Sequence, residues 1–338
     1  MKIALDAMGG DFAPKNPIEG LKLALDKFPQ VEKFYLTGPP DALKSALDAA
    51  QISDRNRIEI VEATQVVEMH DSGIDAVRKK KNSSITVATD LVKSGACQAV
   101  VSAGHTGASV TAGTLMLGRL EGVDFPGIAS PLPNEHCTCY LVDAGANPDA
   151  KPHHLMQYAV MGSVYAKYVH GRQNPVVGLM SVGEEDTKGN ELTKEAFKLL
   201  RKAPVNFKGN VEGHDIFETE LDVIVCDGFT GNVVLKTCEA TAKAISKWMR
   251  KEIKSSPISL LGGLLAQNAL KRVKSKGSYD TYGGSLLLGV NGVVVIGHGS
   301  SSPFAIMNAL RVATEALEHE VNPHIEAAIA QANLVHVE

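Results

Sequence analysis

The sequence has few cysteines and no pattern to them. Cys97, Cys137, Cys139, Cys226 and Cys238 make an odd number among 338 residues, with no CxxC spacing, so no disulfide framework is written into the chain. Three of the five sit inside apolar runs. They read as reduced, buried side chains of the kind a reducing cytoplasm permits. Long apolar runs are also missing: "ISLLGGLLA" and "SLLLGVNGVVVIG" are short or interrupted, well below the ~18 residues of a membrane span. The start, "MKIALDAMGGD", meets an aspartate and two glycines at once, which is not the pattern of a signal peptide. A formal charge of −4 gives no basic excess for coating nucleic acid, and none is expected as a partner. No GxGxxG opens a first strand–helix unit, and GxxxxGK[ST] does not occur. A dinucleotide cofactor is therefore not expected, and with no obvious cluster of metal-binding aspartates neither is a metal.

What the sequence does contain is short apolar runs between helical patterns. "KIALDA", "KFYLTG", "RIEIVEA", "CQAVVSA", "CTCYLVDAG", "PVVGLMSVG", "LDVIVCDG" and "NGVVVIGHG" read as strands. Most are continuously apolar rather than alternating, as in strands covered on both faces. "NPIEGLKLALDKF", "SITVATDLVKSG" and "HHLMQYAVMGSVYAKYV" read as helices. Alternation of the two predicts a three-layer α/β/α fold with a mainly parallel sheet, taking residues 1–338 as a single α/β/α domain.

Strand ends carry the more specific signal. "DAMGGDFAP" (6–14), "SAGHTGAS" (102–109), "VDAGANPD" (142–149), "SVGEED" (181–186), "CDGFTGN" (226–232) and "GHGSSS" (297–302) are all small-residue turns leading towards a helix. Ligands of open α/β sheets sit outside the carboxyl ends of strands. Six such turns are expected to line one edge of the sheet with backbone N–H groups, which favours an anion the size of phosphate.

Residues 247–276, "KWMRKEIKSSPISLLGGLLAQNALKRVKSK", stand apart. Eight basic residues and one acid give +7, leaving −11 for the rest of the chain. An apolar centre with a glycine pair separates two basic clusters. The plain reading is a solvated helical hairpin packed on the body or on a second subunit. The sharper one is a dock, built from Arg250, Lys251, Lys254, Lys271, Arg272 and Lys274 with Leu260, Leu261, Leu264 and Leu265, for an acidic macromolecule with an apolar cargo or for an anionic membrane surface.

These motifs together resemble one family, the phosphate acyltransferases of bacterial phospholipid synthesis (acyl-acyl carrier protein:phosphate acyltransferases). The resemblance runs in order through "ALDAMGGDFAP", "VRKKKNSS", "VSAGHTGA", "DAGANPD", "VGEE", "VCDGFTGNVVLK" and "YGGSLLLGVNGVVVIGHGSS". It implies a fold similar to phosphotransacetylases and isocitrate/isopropylmalate dehydrogenases, with 247–276 as a protruding helical hairpin. It also implies reversible transfer of a fatty acyl group from acyl carrier protein to inorganic phosphate, giving acyl phosphate, by a cytoplasmic homodimer that meets the inner membrane surface peripherally. One residue departs from the pattern. The family's turn usually reads SAGNTGA, and here His105 stands for the asparagine. A neutral histidine offers one donor and one acceptor, as an amide does, but a protonated one offers two donors and a charge.

The reaction so implied asks for an oriented phosphate, a stabilised oxyanion and a proton for the leaving thiolate. Phosphate is expected against Ser102, Gly104, Thr106, Gly107, Gly231 and Asn232, with charge from Arg78 and Lys80 beside Ser83 and Ser84. A solvated helix end explains the run around Arg78 equally well. Lys236 follows Asn232 by one helical turn and shares its face. His105 and His298 are candidate acids or oxyanion donors, with a structural role as the alternative. N-capping is the plainer use for at least two of Asp6, Asp11, Asp143 and Asp227, as is the helix dipole for Glu184 and Glu185. The competing functions are a phosphotransacetylase-like enzyme using coenzyme A thioesters, a dehydrogenase relative, and a non-enzymatic membrane-surface scaffold.

Overall fold

The computed structural model describes residues 1–68 and 71–334, apart from the side chains of Lys274, Lys276 and Tyr279. Eleven strands follow in chain order: β1 Lys2–Asp6, β2 Lys33–Gly38, β3 Ile58–Glu62, β4 Ala99–Ser102, β5 Gly127–Pro133, β6 Thr138–Val142, β7 Val176–Met180, β8 Asn206–Val211, β9 Val223–Val225, β10 Ser285–Leu288 and β11 Val293–Ile296. They form one sheet in the order β3-β2-β1-β4-β11-β10-β5-β6-β9-β7-β8.

The continuous apolar strands are explained by two-sided burial. Along β1, Ile3 and Leu5 enter one core and Ala4 another; along β4, Ala99 and Val101 divide from Val100 in the same way. Helices Lys15–Lys27 and Pro303–Glu318 cover the first face, and Ser84–Lys93 and Thr106–Ala112 the second. In β6, Tyr140 and Val142 face the large core while Cys139 and Leu141 join a third. The three-layer α/β/α class holds throughout. All five cysteines are free thiols, three of them buried. Burial pushes the Cys97 thiol up to about 12.

Three strands differ from the eight expected. β5 carries Pro131 and Pro133 and β8 is polar with a glycine, so neither shows a strand's apolar signature, whereas β10 is apolar but short and runs through a four-residue turn into β11. They change the topology. β11, β4, β1, β2 and β3 are mutually parallel, as are β6, β9, β7 and β8. β10 is antiparallel to both β11 and β5, and β5 is antiparallel to β6. The two parallel blocks therefore run in opposite directions. The expectation that all six turns line one edge is corrected: those after β1, β4 and β11 leave one block, and those after β6, β7 and β9 leave the other. Register nevertheless brings the ends together. Ile296, the last residue of β11, pairs with Ser285; the next step joins Leu286 to Ala129, and Ser130 pairs with Leu141. The two carboxyl edges meet at the β10–β5 seam.

Packing between covering helices is close. A Cβ at Gly20 would lie 2.5 Å from Ile306 Cβ and 2.8 Å from the Pro303 carbonyl. Alanine at position 20 would gain about 1 kcal/mol of helix propensity. Forcing apart a β-branched side chain and a backbone oxygen costs about 1–3 kcal/mol. Gly20→Ala is expected to destabilise on balance, seen as a lower midpoint with an unchanged slope in urea unfolding.

Candidate active site

Two buried carboxylates organise the turns. Asp6 ends β1, and its Oδ2 accepts the Ser102 hydroxyl at 2.7 Å while Oδ1 accepts the Met8 N–H at 3.2 Å. Ser102 Oγ accepts the Gly104 N–H at 3.1 Å. Asp143 follows β6. Its Oδ1 accepts N–H groups of Ile128, Gly145 and Ala146 at 2.9–3.0 Å, and its Oδ2 that of Asn147 at 2.6 Å. Burial pushes both carboxyls above their ordinary range, and the hydrogen bonds oppose it.

The two arrangements are built alike. Asp6 pairs with Ser102 on β4, and Val142 with Val225 on β9, which sets Asp143 beside Cys226. Each neighbouring strand then runs into the same four-residue pattern, Gly104-His105-Thr106-Gly107 and Gly228-Phe229-Thr230-Gly231, which opens a helix. This repeated Gly-x-Thr-Gly was present in the sequence as a signal. Its meaning comes from the shared position beside a buried aspartate.

Much of the smallness serves protein rather than ligand. A Cβ at Gly9 would lie 2.8 Å from both Asp6 Oδ2 and the Gly104 nitrogen, and one at Gly231 only 1.9 Å from the Asp143 carbonyl. The Gly104 N–H is held by Ser102, and the Gly231 N–H by the Asp227 carbonyl at 2.9 Å. The N–H groups of Thr106 and Gly107 head the helix Thr106–Ala112 and have no acceptor within it. His105 is that helix's N-cap: its Nδ1 accepts the Ala108 N–H at 3.1 Å. An asparagine carbonyl makes the same bond, so the imidazole keeps the cap while Nδ1 is unprotonated.

The other group from the first block lies after β11. His298 Nδ1 accepts the Ser300 N–H at 3.1 Å, and Ser300 Oγ lies 2.9 Å from the same nitrogen. The Asp11 N–H donates to the Gly299 carbonyl at 2.8 Å and the Gly297 N–H to Ser102, tying this turn to those after β1 and β4. One helix, Gly228–Ile253, joins the two blocks' turns. Asp227 caps it by accepting the Thr230 N–H at 2.8 Å. Asn232 lies against Gly145, and farther along Lys236 Nζ reaches Glu239 Oε2 at 3.0 Å, which is 3.7 Å from His298 Nε2. The seven residues from Asn232 to Glu239 span roughly 10 Å of helix. Glu239 was not among the candidates, because a lone acid on a helix has no spacing signature.

The remaining candidates are distributed as follows. Lys80 Nζ bonds Asp71 at 2.6 Å and the Val66 carbonyl at 2.9 Å. Ser83 and Ser84 are buried; Ser83 caps the helix Ser84–Lys93, and Ser84 stands beside Asp6. Arg78 is exposed on helix Gly73–Lys79, which packs against the His105 helix where Gly73 meets Gly107. Glu184 lies with His214 and Asp215 at the β7–β8 end, but Asp215 already accepts from Glu212 and Thr219. A groove of about 570 Å³ lies at the starts of β7 and β8, the opposite ends of those strands from their turns.

Beyond Glu239 the helix leaves the body. Of its 26 residues only Gly228 and Gly231 are buried, and Ile245, Trp248 and Met249 are exposed. Helices Pro257–Leu265 and Gln267–Lys276 complete the arm, so the hairpin begins well before residue 247. Leu260, Leu261, Leu264 and Leu265 are exposed at its tip, as are Arg250, Lys251, Lys254, Lys271 and Arg272; the Lys274 side chain lies outside the described residues. Among the described residues, no helix is long and apolar enough to cross a membrane.

Comparison with known proteins bears on the family and the fold. The family described as "Fatty acid synthesis protein" matches residues 1–324. A phosphate acyltransferase of Akkermansia muciniphila is 53% identical over 99% of this chain and 97% of its own. One from Pelotomaculum thermopropionicum is 48% identical over 97% and 95%. The chain belongs to the phosphate acyltransferase family. In fold it is similar to phosphotransacetylases from Streptococcus pyogenes (TM-score 0.59, 17% identity) and Staphylococcus aureus (TM-score 0.57, 16% identity), each covering 94% of both chains.

In this chain the histidine at position 105 has a measurable meaning. His105→Asn is expected to leave unfolding free energy within about 0.5 kcal/mol, while His105→Ala loses the cap, about 1 kcal/mol. No loss in His105→Ala would show that the cap contributes nothing, and an equal loss in both that asparagine does not replace the imidazole's bond.

Proposed function

We propose that the chain transfers a fatty acyl group reversibly from acyl carrier protein to inorganic phosphate, giving acyl phosphate for phospholipid synthesis. The observation that carries this is the junction of two glycine-turn groups by one helix. That helix holds Lys236 beside the site and continues into a basic arm with an apolar tip.

The chemistry needs little covalent help from the protein. Phosphate is already ionised at neutral pH, and the thioester is an activated acyl donor. Phosphate sits at the head of helix Thr106–Ala112, where Thr106, Gly107 and the helix dipole favour an anion. Asn232 and Lys236 face it from the opposite block. As a phosphate oxygen attacks the thioester carbon, the carbonyl oxygen becomes an oxyanion stabilised by N–H donors and cation. The C–S bond then breaks, and the carrier's thiolate takes a proton from His298 or from solvent. Arg78 adds long-range attraction. Asp6 and Asp143 hold the turns and do not touch the reacting atoms.

The arm suits an acidic carrier protein through Arg250, Lys251, Lys254, Lys271 and Arg272, and an anionic bilayer surface through its leucines. The stripe of Ile245, Trp248 and Met249 supports pairing of two copies as a homodimer, and sedimentation is expected to give twice the chain mass. A coenzyme A thioester is the alternative donor, supported by the phosphotransacetylase-like fold.

Incubation with acyl-carrier protein and labelled phosphate is expected to yield labelled acyl phosphate, with acyl-coenzyme A a poorer donor. A preference for acyl-coenzyme A reverses the donor assignment, and no product from either leaves a scaffold. Asn232→Ala and Lys236→Ala are each expected to lower kcat by about 10²–10³, the usual loss of an oxyanion or phosphate donor; near-normal rates in both would remove them from the site.

Charge-driven docking weakens with salt, since the Debye length is about 8 Å at physiological ionic strength. Leu261→Glu is expected to release the protein from anionic vesicles and spare turnover of soluble substrate. Collapse of turnover would place that leucine in a core or dimer contact.

A further inference from the structure

Lys236 and His298 come from opposite blocks of the sheet, yet they converge on one atom. Glu239 Oε2 lies 3.0 Å from Lys236 Nζ and 3.7 Å from His298 Nε2, on a side chain only 18% exposed. The histidine's other nitrogen is committed, because Nδ1 accepts the Ser300 N–H. A neutral ring must therefore carry its proton on Nε2, the nitrogen that faces Glu239. The charges around the ring are Lys236, Glu239 and Lys243 from the helix Gly228–Ile253 and Asp11 from the turn after β1. Desolvation lowers the ring's pKa most, the two lysines lower it further, and Glu239 and Asp11 oppose them.

We propose that Glu239 is a positioning residue: its carboxylate holds Lys236 and faces the Nε2–H of His298, tuning how readily that ring takes up a proton. The inference rests on the acyl-transfer reading above. A lysine four residues from Asn232 points into solvent unless something holds it, and here its side chain is still 52% exposed. The i,i+3 carboxylate supplies that hold. The same oxygen faces the imidazole N–H, so the negative charge offsets the lysines that drive the ring neutral. Neither effect requires Glu239 to touch substrate.

The geometry fixes opposite signs for two substitutions. Glu239→Gln removes the charge that raises the His298 pKa, so the ring titrates at lower pH. Lys236→Met removes one that lowers it, so the ring titrates at higher pH. The full-length protein, labelled with 13C at imidazole Cε1, is titrated by NMR, with the His298 signal assigned from His298→Gln. The parent, Glu239→Gln, Glu239→Asp and Lys236→Met are compared. Opposite shifts for Gln and Met, with Asp between Gln and the parent, are expected. In parallel, acyl phosphate formation by Glu239→Gln should fall roughly tenfold or more, with the acid limb of its pH profile moving the same way as the NMR titration. An unmoved His298 titration in a Glu239→Gln protein with native circular dichroism overturns the inference. Should Glu239→Gln fail to fold, Lys236→Met decides, and a downward shift or none overturns it. If the parent forms no acyl phosphate, the acyl-transfer reading fails while the NMR comparison still decides the role of Glu239.

Discussion

A carboxylate buried at the end of a strand must be ringed by hydrogen-bond donors, and the rest of the site depends on this constraint being met twice. Asp143 takes four backbone N–H groups from two segments, and Asp6 takes a hydroxyl and an N–H. Each unmet bond to such a group would cost about 1–3 kcal/mol or more. Backbone is therefore drawn in around each carboxylate, and only glycine tolerates the approach that results at Gly9 and Gly231. The turns owe their shape to these acids before any ligand arrives.

That order of causes revises the simplest account of glycine-rich turns. Small residues at strand ends suggest room for phosphate, and Thr106 and Gly107 do head a helix with N–H groups to offer. Gly104 and Gly231 instead spend their N–H groups on Ser102 and Asp227. The division between N–H groups used by the scaffold and those left without a partner in the helix runs within a single heptapeptide. His105 falls on the scaffold side as an N-cap, which is why an imidazole can stand where an amide is usual.

Local pattern made the layers of the fold legible. Continuous apolar runs such as "CQAVVSA" mean strands with two covered faces, and alternate residues do enter separate cores. The sheet's reversal was hidden, because it depends on β5 and β10. Prolines weaken the strand signal of one, and the other is a short leucine run whose pattern does not tell a strand from a helix segment. Each forms a local hairpin, β10 with β11 and β5 with β6, but the ladder between β10 and β5 joins segments about 150 residues apart, and no window of sequence displays it. The site was half legible for a related reason. Asn232, Lys236 and His298 stand out because of the turns they follow. Glu239 becomes visible only once a helix from one block is laid across a turn from the other.

The seam also decides what kind of quantity the site's width is. Its two halves stand on blocks of opposite direction, and the covalent path between them is long. Their separation is fixed where β10 meets β11 and β5, and where β5 meets β6. Twist accumulated over those two middle strands sets how the turn at Gly228 is oriented relative to that at Thr106. The middle strands β10 and β5, which carry none of the candidate site residues, are thereby the part of the sheet that spaces the two groups of turns.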